Sequence, residues 1–265
     1  MQGRSGGFRL IVSNLVAKSI RPAPHHVSLA VVFQVRHGAL QVLLWKRARE
    51  PFAGRWALPG GYLEPGQTLE QSIRRHLAAK VDVRELAHLE QLETRSDPAR
   101  HPKDWELATA YLGLVPSDVD PAVPDDTHWH RAERLSRTAF DHGAIVRSGL
   151  ARLRAKLSYT NVGFALAPET FTLSELREIY AAALGHDVSA TNLHRVLVRR
   201  GVLEPTGSKR EPGRTGGRPA ALFRFRSTKL EVTDPFAVLK PPAKPPATPA
   251  KPARPRSAPP SRRLR

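Results

Sequence analysis

The sequence predicts an α/β chain of two domains, a strand-rich sandwich followed by a small helical domain closed by a β-hairpin. Three observations carry this. A glycine turn, Pro59-Gly60-Gly61, leads through a polar loop into a helix that places Leu69, Ile73 and Leu77 on one face. Apolar, β-branched runs flank that helix at residues 26–33, 40–45, 89–93 and 105–115. Further on, two amphipathic helical patterns are separated by a tight turn and followed by a basic, Gly-rich hairpin.

Composition bounds the possibilities. The chain has 265 residues, enough for roughly two domains. A formal charge of +18 points to a polyanionic partner, nucleic acid above all, or to a solvated basic tail. Without cysteine, disulfides and thiolate metal sites are excluded. No apolar run approaches the ~20 residues of a membrane span, and the N-terminus lacks a signal-peptide core or cleavage site. The expected location is cytoplasmic, with no membrane partner.

Taken in order, residues 1–24 read as a loosely ordered leader and 25–142 as the first domain. His37-Gly38 turns a hairpin between the first two strands. Lys46-Arg47-Ala48-Arg49 and Pro51-Phe52-Ala53-Gly54 precede the glycine turn. Thr68 is placed to cap the helix, with Arg74, Arg75, His76, Ala79 and Lys80 expected to point away from its buried face. Residues 116–130 are rich in Pro and Asp and read as a loop, and 131–135 as a short strand or helix. Ile145, Leu150, Leu153 and Leu157 mark an amphipathic helix over 144–157, within a linker assigned to 143–164.

The stretch from Gly61 to Val83 resembles the Nudix box, G-x5-E-x7-R-E-U-x-E-E-x-G-U with U bulky and apolar. The helix arginine falls on Arg75 and the apolar positions on Leu77 and Val83. The reactive positions differ: Gln67 stands for the loop glutamate, His76 and Ala79-Lys80 for the helix glutamates, and Asp82 for the second glycine. A Nudix hydrolase holds Mg²⁺ on those carboxylates, and hard oxygen ligands are what that ion requires. An imidazole, a methyl and an ammonium do not supply them. The resemblance therefore implies a Nudix α/β/α sandwich that keeps its pocket and has lost its metal chemistry, with no catalytic residue, metal or cofactor. Whether His76 and Lys80 instead touch phosphate is left open by the sequence.

The phrases around Arg47 and across 90–116 look like the ADP-ribose branch of that family, which implies ADP-ribose or another NAD-related nucleotide as ligand. Arg47 and Arg100 are then candidates to meet the diphosphate, and Phe52 and Trp56 to stack on or wall in the adenine. Each has a plainer reading, the arginines solvated and the aromatics in the core.

The block over 165–228 has a winged-helix pattern. Thr172-Leu-Ser-Glu175 is a capping box, and Gly185 is placed to end the helix it starts. Ser189 caps a second helix over 190–200 with Leu193, Val196 and Leu197 inward and Thr191, Asn192, His194, Arg195, Arg199 and Arg200 on the other face. Asn192, His194 and Arg195 are the candidates for base edges, since asparagine suits adenine and arginine suits guanine. Arg199, Lys209, Arg210, Arg214 and Arg218 are the candidates for phosphates or, from the wing, the minor groove. This half is similar to the Nudix-related transcriptional regulators of NAD metabolism, the NrtR family. That implies a homodimeric repressor whose effector loosens it from a near-palindromic double-stranded operator in genes of NAD synthesis or salvage. Residues 229–265, Pro-, Ala- and Lys/Arg-rich, read as a disordered basic tail. Two rivals stand beside this reading: an active Nudix pyrophosphatase with an accessory DNA-binding domain, and a non-specific nucleic-acid binder driven by the tail.

Overall fold

A computed structural model describes residues 24–211 and 219–234. The first domain is built on a long strand β1 (His25–Arg36), which is apolar almost throughout because both of its faces are covered. β1 pairs antiparallel with β2 (Ala39–Lys46) and with β4 (Gly60–Tyr62), and parallel with β6 (Glu106–Leu114). β3 (Trp56–Ala57) and β5 (His88–Arg95) complete the order β3-β2-β1-β6-β5. The 116–130 stretch is not all loop. Thr127–Arg131 forms β7, antiparallel to β2. The alternation Thr127 in, His128 out carries a strand signal, but the preceding Pro-Asp run obscures it.

The period-2 alternation of β1 divides the core. Ala30 and Val32 face α1 (Leu69–Val81), with Ile73, Leu77, Val81 and Tyr111. Val31 and Phe33 face α2 (His142–Tyr159), with Ile145, Leu153, Leu112 and Leu114. The helix approaches closely: a Cβ on Gly149 would sit 3.0 Å from Val31 and 3.3 Å from Phe33. The predicted helix over 144–157 is thus two residues longer at each end.

The second core continues without a break into the C-terminal domain through Leu166, Phe171, Leu176 and Leu197. There β8 (Phe171–Thr172), β10 (Ala220–Phe225) and β9 (Leu203–Arg210) form a three-stranded sheet in the order β8-β10-β9. α3 (Leu173–Leu184) and α4 (Ala190–Arg199) are the two helices that accompany this sheet. The capping box closes in both directions: the Glu175 backbone N–H donates to the Thr172 hydroxyl, and the Thr172 N–H to the Glu175 carboxylate. Gly185 ends α3 at φ 78°, in the left-handed region. Ser189 caps α4.

Two expectations are corrected here. Arg200 does not join the outer face of α4. It folds inward and donates to the carbonyls of Leu157 and Thr160 and to the Thr233 hydroxyl. Disorder does not begin at 229: Asn161 donates to the Lys229 carbonyl and accepts from the Glu231 N–H, and the Thr233 and Asp234 N–H groups donate to Tyr159. A helix end with unsatisfied carbonyls accounts for this, because the following segment supplies the donors. The predicted leader (to residue 23), Arg214, Arg218 and the tail from 235 lie outside the described residues.

Candidate ligand cleft and nucleic-acid interface

The box positions are where sequence and structure diverge most usefully. Gly60, at φ 156°, has backbone that would not admit a side chain, since a Cβ would lie 2.1 Å from the Ser28 carbonyl. A Cβ on Gly61 would lie 2.5 Å from the His76 ring. His76 and Lys80 do not point away from the sheet as expected. His76 is buried and donates from Nε2 to the Tyr62 carbonyl at 3.0 Å. Lys80 Nζ donates to the Gly60 carbonyl at 2.6 Å and lies 5.0 Å from the centroid of the Trp45 ring. Arg75 reaches the same Tyr62 carbonyl at 3.2 Å, holds the Gln67 side-chain oxygen and pairs with Glu64. Three basic side chains on α1 thus grip the carbonyls of β4.

A divalent cation does not fit this donor set. The nearby carboxylates are engaged with arginines, Glu64 with Arg75, Glu70 with Arg74 and Glu106 with Arg100. The ammonium of Lys80 stands where a ligand oxygen would be needed. Among the described residues, no group of three or more His, Asp or Glu is placed to hold a metal ion. Burial lowers the Lys80 pKa from its ordinary value, and Arg47 and Arg75 lower it further. Burial likewise lowers that of His76.

Beside these residues lies a cleft of about 590 Å³, walled by Trp45, Arg47, Tyr62, His76, Lys80, Glu106, Phe140 and His142 among others. That volume suits a nucleotide-sized ligand. Of the predicted contacts, Arg47 lines it. Its Nε donates to the Pro51 carbonyl at 3.0 Å, and its guanidinium lies 4.8 Å from the Phe140 ring centroid. Arg100 does not line it. The guanidinium is buried and committed to Glu106 at 2.5 Å and Asp141 at 3.0 Å, so it acts on the cleft only by holding Glu106. Phe52 packs edge-on against Phe140, one layer behind the wall. Trp56 packs against His128 and His130 on β7, away from the cleft. β7, the strand that the Pro-Asp run obscures in sequence, provides that partner.

Tyr62, Glu106, Phe140 and His142 were missed. His142 is buried, its Nδ1 accepts the Leu58 N–H at 2.9 Å, and burial depresses its pKa to about 3, so it is neutral. The chain near Phe140 gives no local sign that α2 starts at a cleft. Tyr62 follows the glycine turn and was the one that could have been found.

The second surface is α4 and the wing. Thr191, Asn192, Arg195, Val198 and Arg199 are exposed on one side of α4. Arg195 donates to the Asn192 side-chain oxygen at 2.9 Å, an exposed contact that water or a base edge can replace. His194 is half-buried against Phe223. Lys209 is exposed on β9, and Arg210 is ion-paired with Glu175. Of these candidates, Asn192, Arg195, Arg199 and Lys209 are exposed, His194 packs against Phe223 and Arg210 is held by Glu175.

The architecture defines a class: a Nudix sandwich joined through a shared core to a winged helix. Residues 24–149 match the NUDIX domain, and residues 163–225 match the NrtR DNA-binding winged helix domain. The ADPR responsive transcriptional repressor NtrR of Acinetobacter baylyi is 33% identical over 215 residues, spanning 78% of this chain and 84% of the relative. NrtR of Shewanella oneidensis, crystallised in complex with a 27mer DNA, superimposes with a TM-score of 0.66 at 33% identity, covering 76% of this chain and 93% of that one. The ADP-ribose pyrophosphatase of Methanocaldococcus jannaschii is 29% identical over 110 residues, 40% of this chain and 64% of the relative. The chain belongs to the NrtR family of Nudix-related transcriptional regulators.

Proposed function

We propose that the protein is a transcriptional repressor that binds operator DNA through α4 and the wing and is released when ADP-ribose, or a close NAD-related nucleotide, enters the Nudix cleft. The observation that carries it is the pairing of two surfaces in one chain. One is an exposed Asn192–Arg195–Arg199 face on a capped helix, in the second-helix position that enters a major groove. The other is a cleft whose box carboxylates are replaced by groups that grip the backbone. The domain limits proposed are 25–142 for ligand binding and 165–228 for DNA, joined by 143–164, acting in the cytoplasm as a homodimer on genes of NAD synthesis or salvage. Ligand and DNA oppose each other only if the ligand binds the DNA-free arrangement better.

The cleft is read as non-hydrolytic, because Lys80 occupies a position that hydrolysis would give to a metal ligand. The test is a mobility shift with promoter DNA of those genes, titrated with ADP-ribose, NAD and NMN, beside a hydrolysis assay on ADP-ribose in Mg²⁺. Release by ADP-ribose without turnover is expected. Turnover at ordinary enzyme rates, or DNA binding indifferent to all three nucleotides, would overturn it.

A further inference from the structure

Resting on the nucleotide reading above, we infer that Lys80 and Arg47 form an anion subsite that takes the ligand's diphosphate directly, in place of a divalent cation. Lys80 sits in the cleft wall with only neutral partners, the Gly60 carbonyl and the Trp45 ring. Arg47 spends Nε on the Pro51 carbonyl, and its two terminal nitrogens have no hydrogen-bond partner among the described residues. Neither residue has a carboxylate partner among the described residues, whereas the acidic groups in the same wall are taken: Glu106 by Arg100 and Glu64 by Arg75.

The two cations are close enough that Arg47 lowers the Lys80 pKa, on top of the larger effect of burial. Two partly buried like charges with no direct ion pair, Arg47 offset only through space by Glu106 and Glu50, are an unfavourable arrangement that a diphosphate relieves. Arginine offers a fixed fork to one phosphate, and lysine a point charge to the other. The Lys80–Gly60 bond holds the ammonium in place beforehand, so little side-chain ordering is left for binding.

Isothermal titration of the full chain with ADP-ribose, in EDTA and in excess Mg²⁺, tests this without altering the protein. Dissociation constants equal within twofold are expected. Lys80→Met and Arg47→Gln should each weaken ADP-ribose at least tenfold, with Lys80→Arg recovering most of the loss and the ligand-free melting temperatures reporting whether each variant folds. Binding that requires Mg²⁺, or a folded Lys80→Met that binds as tightly as the parent, would overturn the subsite. If Lys80→Met does not fold, the chelator comparison and Arg47→Gln decide. No binding of ADP-ribose in either buffer would remove the nucleotide reading itself, and the subsite with it.

Discussion

The box helix α1 and the reading helix α4 are both short, basic and capped by a hydroxyl residue, yet they use their charge in opposite ways. On α1, His76 is buried, and Arg75, His76 and Lys80 donate to backbone carbonyls of β4. On α4, Asn192, Arg195 and Arg199 are exposed, and the one contact between Asn192 and Arg195 is with each other. The lesson is that a basic residue type says little about function until its partner is known. A cation held by a carbonyl in a wall is fixed in place for whatever enters the cleft, and one in water is available to a polyanion at the surface.

That contrast can be broken in order of expected effect. Arg100→Met leaves Glu106 buried without its partner and should lower stability by about 3 kcal/mol. Denaturant unfolding measures it, and a loss under 1 kcal/mol would mean that Arg100 is not structurally committed. Acid should act on the same wall. His142 has a folded pKa of about 3 against an ordinary 6.5, so between those values the unfolded chain binds the extra proton. Its contribution is intact above pH 6.5 and is lost as pH falls, by about 1.4 kcal/mol per unit. Urea midpoints from pH 7 to 4.5 should show the slope, and His142→Asn, which keeps an acceptor for the Leu58 N–H and does not titrate, should flatten it.

On the other helix the effect should be on binding alone. Arg195→Ala is expected to cost about 1–3 kcal/mol in operator affinity with an unchanged melting temperature, read by fluorescence anisotropy at fixed salt. An equal loss on random DNA would make Arg195 a phosphate contact rather than a base contact. The smallest effect concerns Asp82, which ends α1 at φ 49° in a conformation that glycine adopts without strain. Asp82→Gly should raise stability by about 0.5–1 kcal/mol, measured as a rise in melting temperature.

Much of the fold was legible because it is written in periodicity. The Leu69–Ile73–Leu77 face, the Thr172–Glu175 box and the Ser189 cap are local patterns, and each element formed where its pattern lay. β7 was hidden because a five-residue strand can be pinned entirely by its neighbour β2, which no local window contains. The cleft was half legible. Arg47 follows β2 and lines the wall, whereas Arg100, equally basic and equally close to a predicted strand, met Glu106 six residues on and Asp141 forty-one residues on. Trp56 and Phe52 show the same limit, since an aromatic near a cleft is indistinguishable in sequence from one behind its wall.

By itself the sequence determined the two modules, their helices and caps, and the replacement of the box carboxylates by Gln67, His76, Ala79 and Lys80, because these depend on residue type and spacing along one stretch of chain. The tertiary structure alone decided which partner each cation meets. An ion pair such as Arg100–Asp141, or the bond from Lys80 to Gly60, joins positions that only folding brings within hydrogen-bond reach.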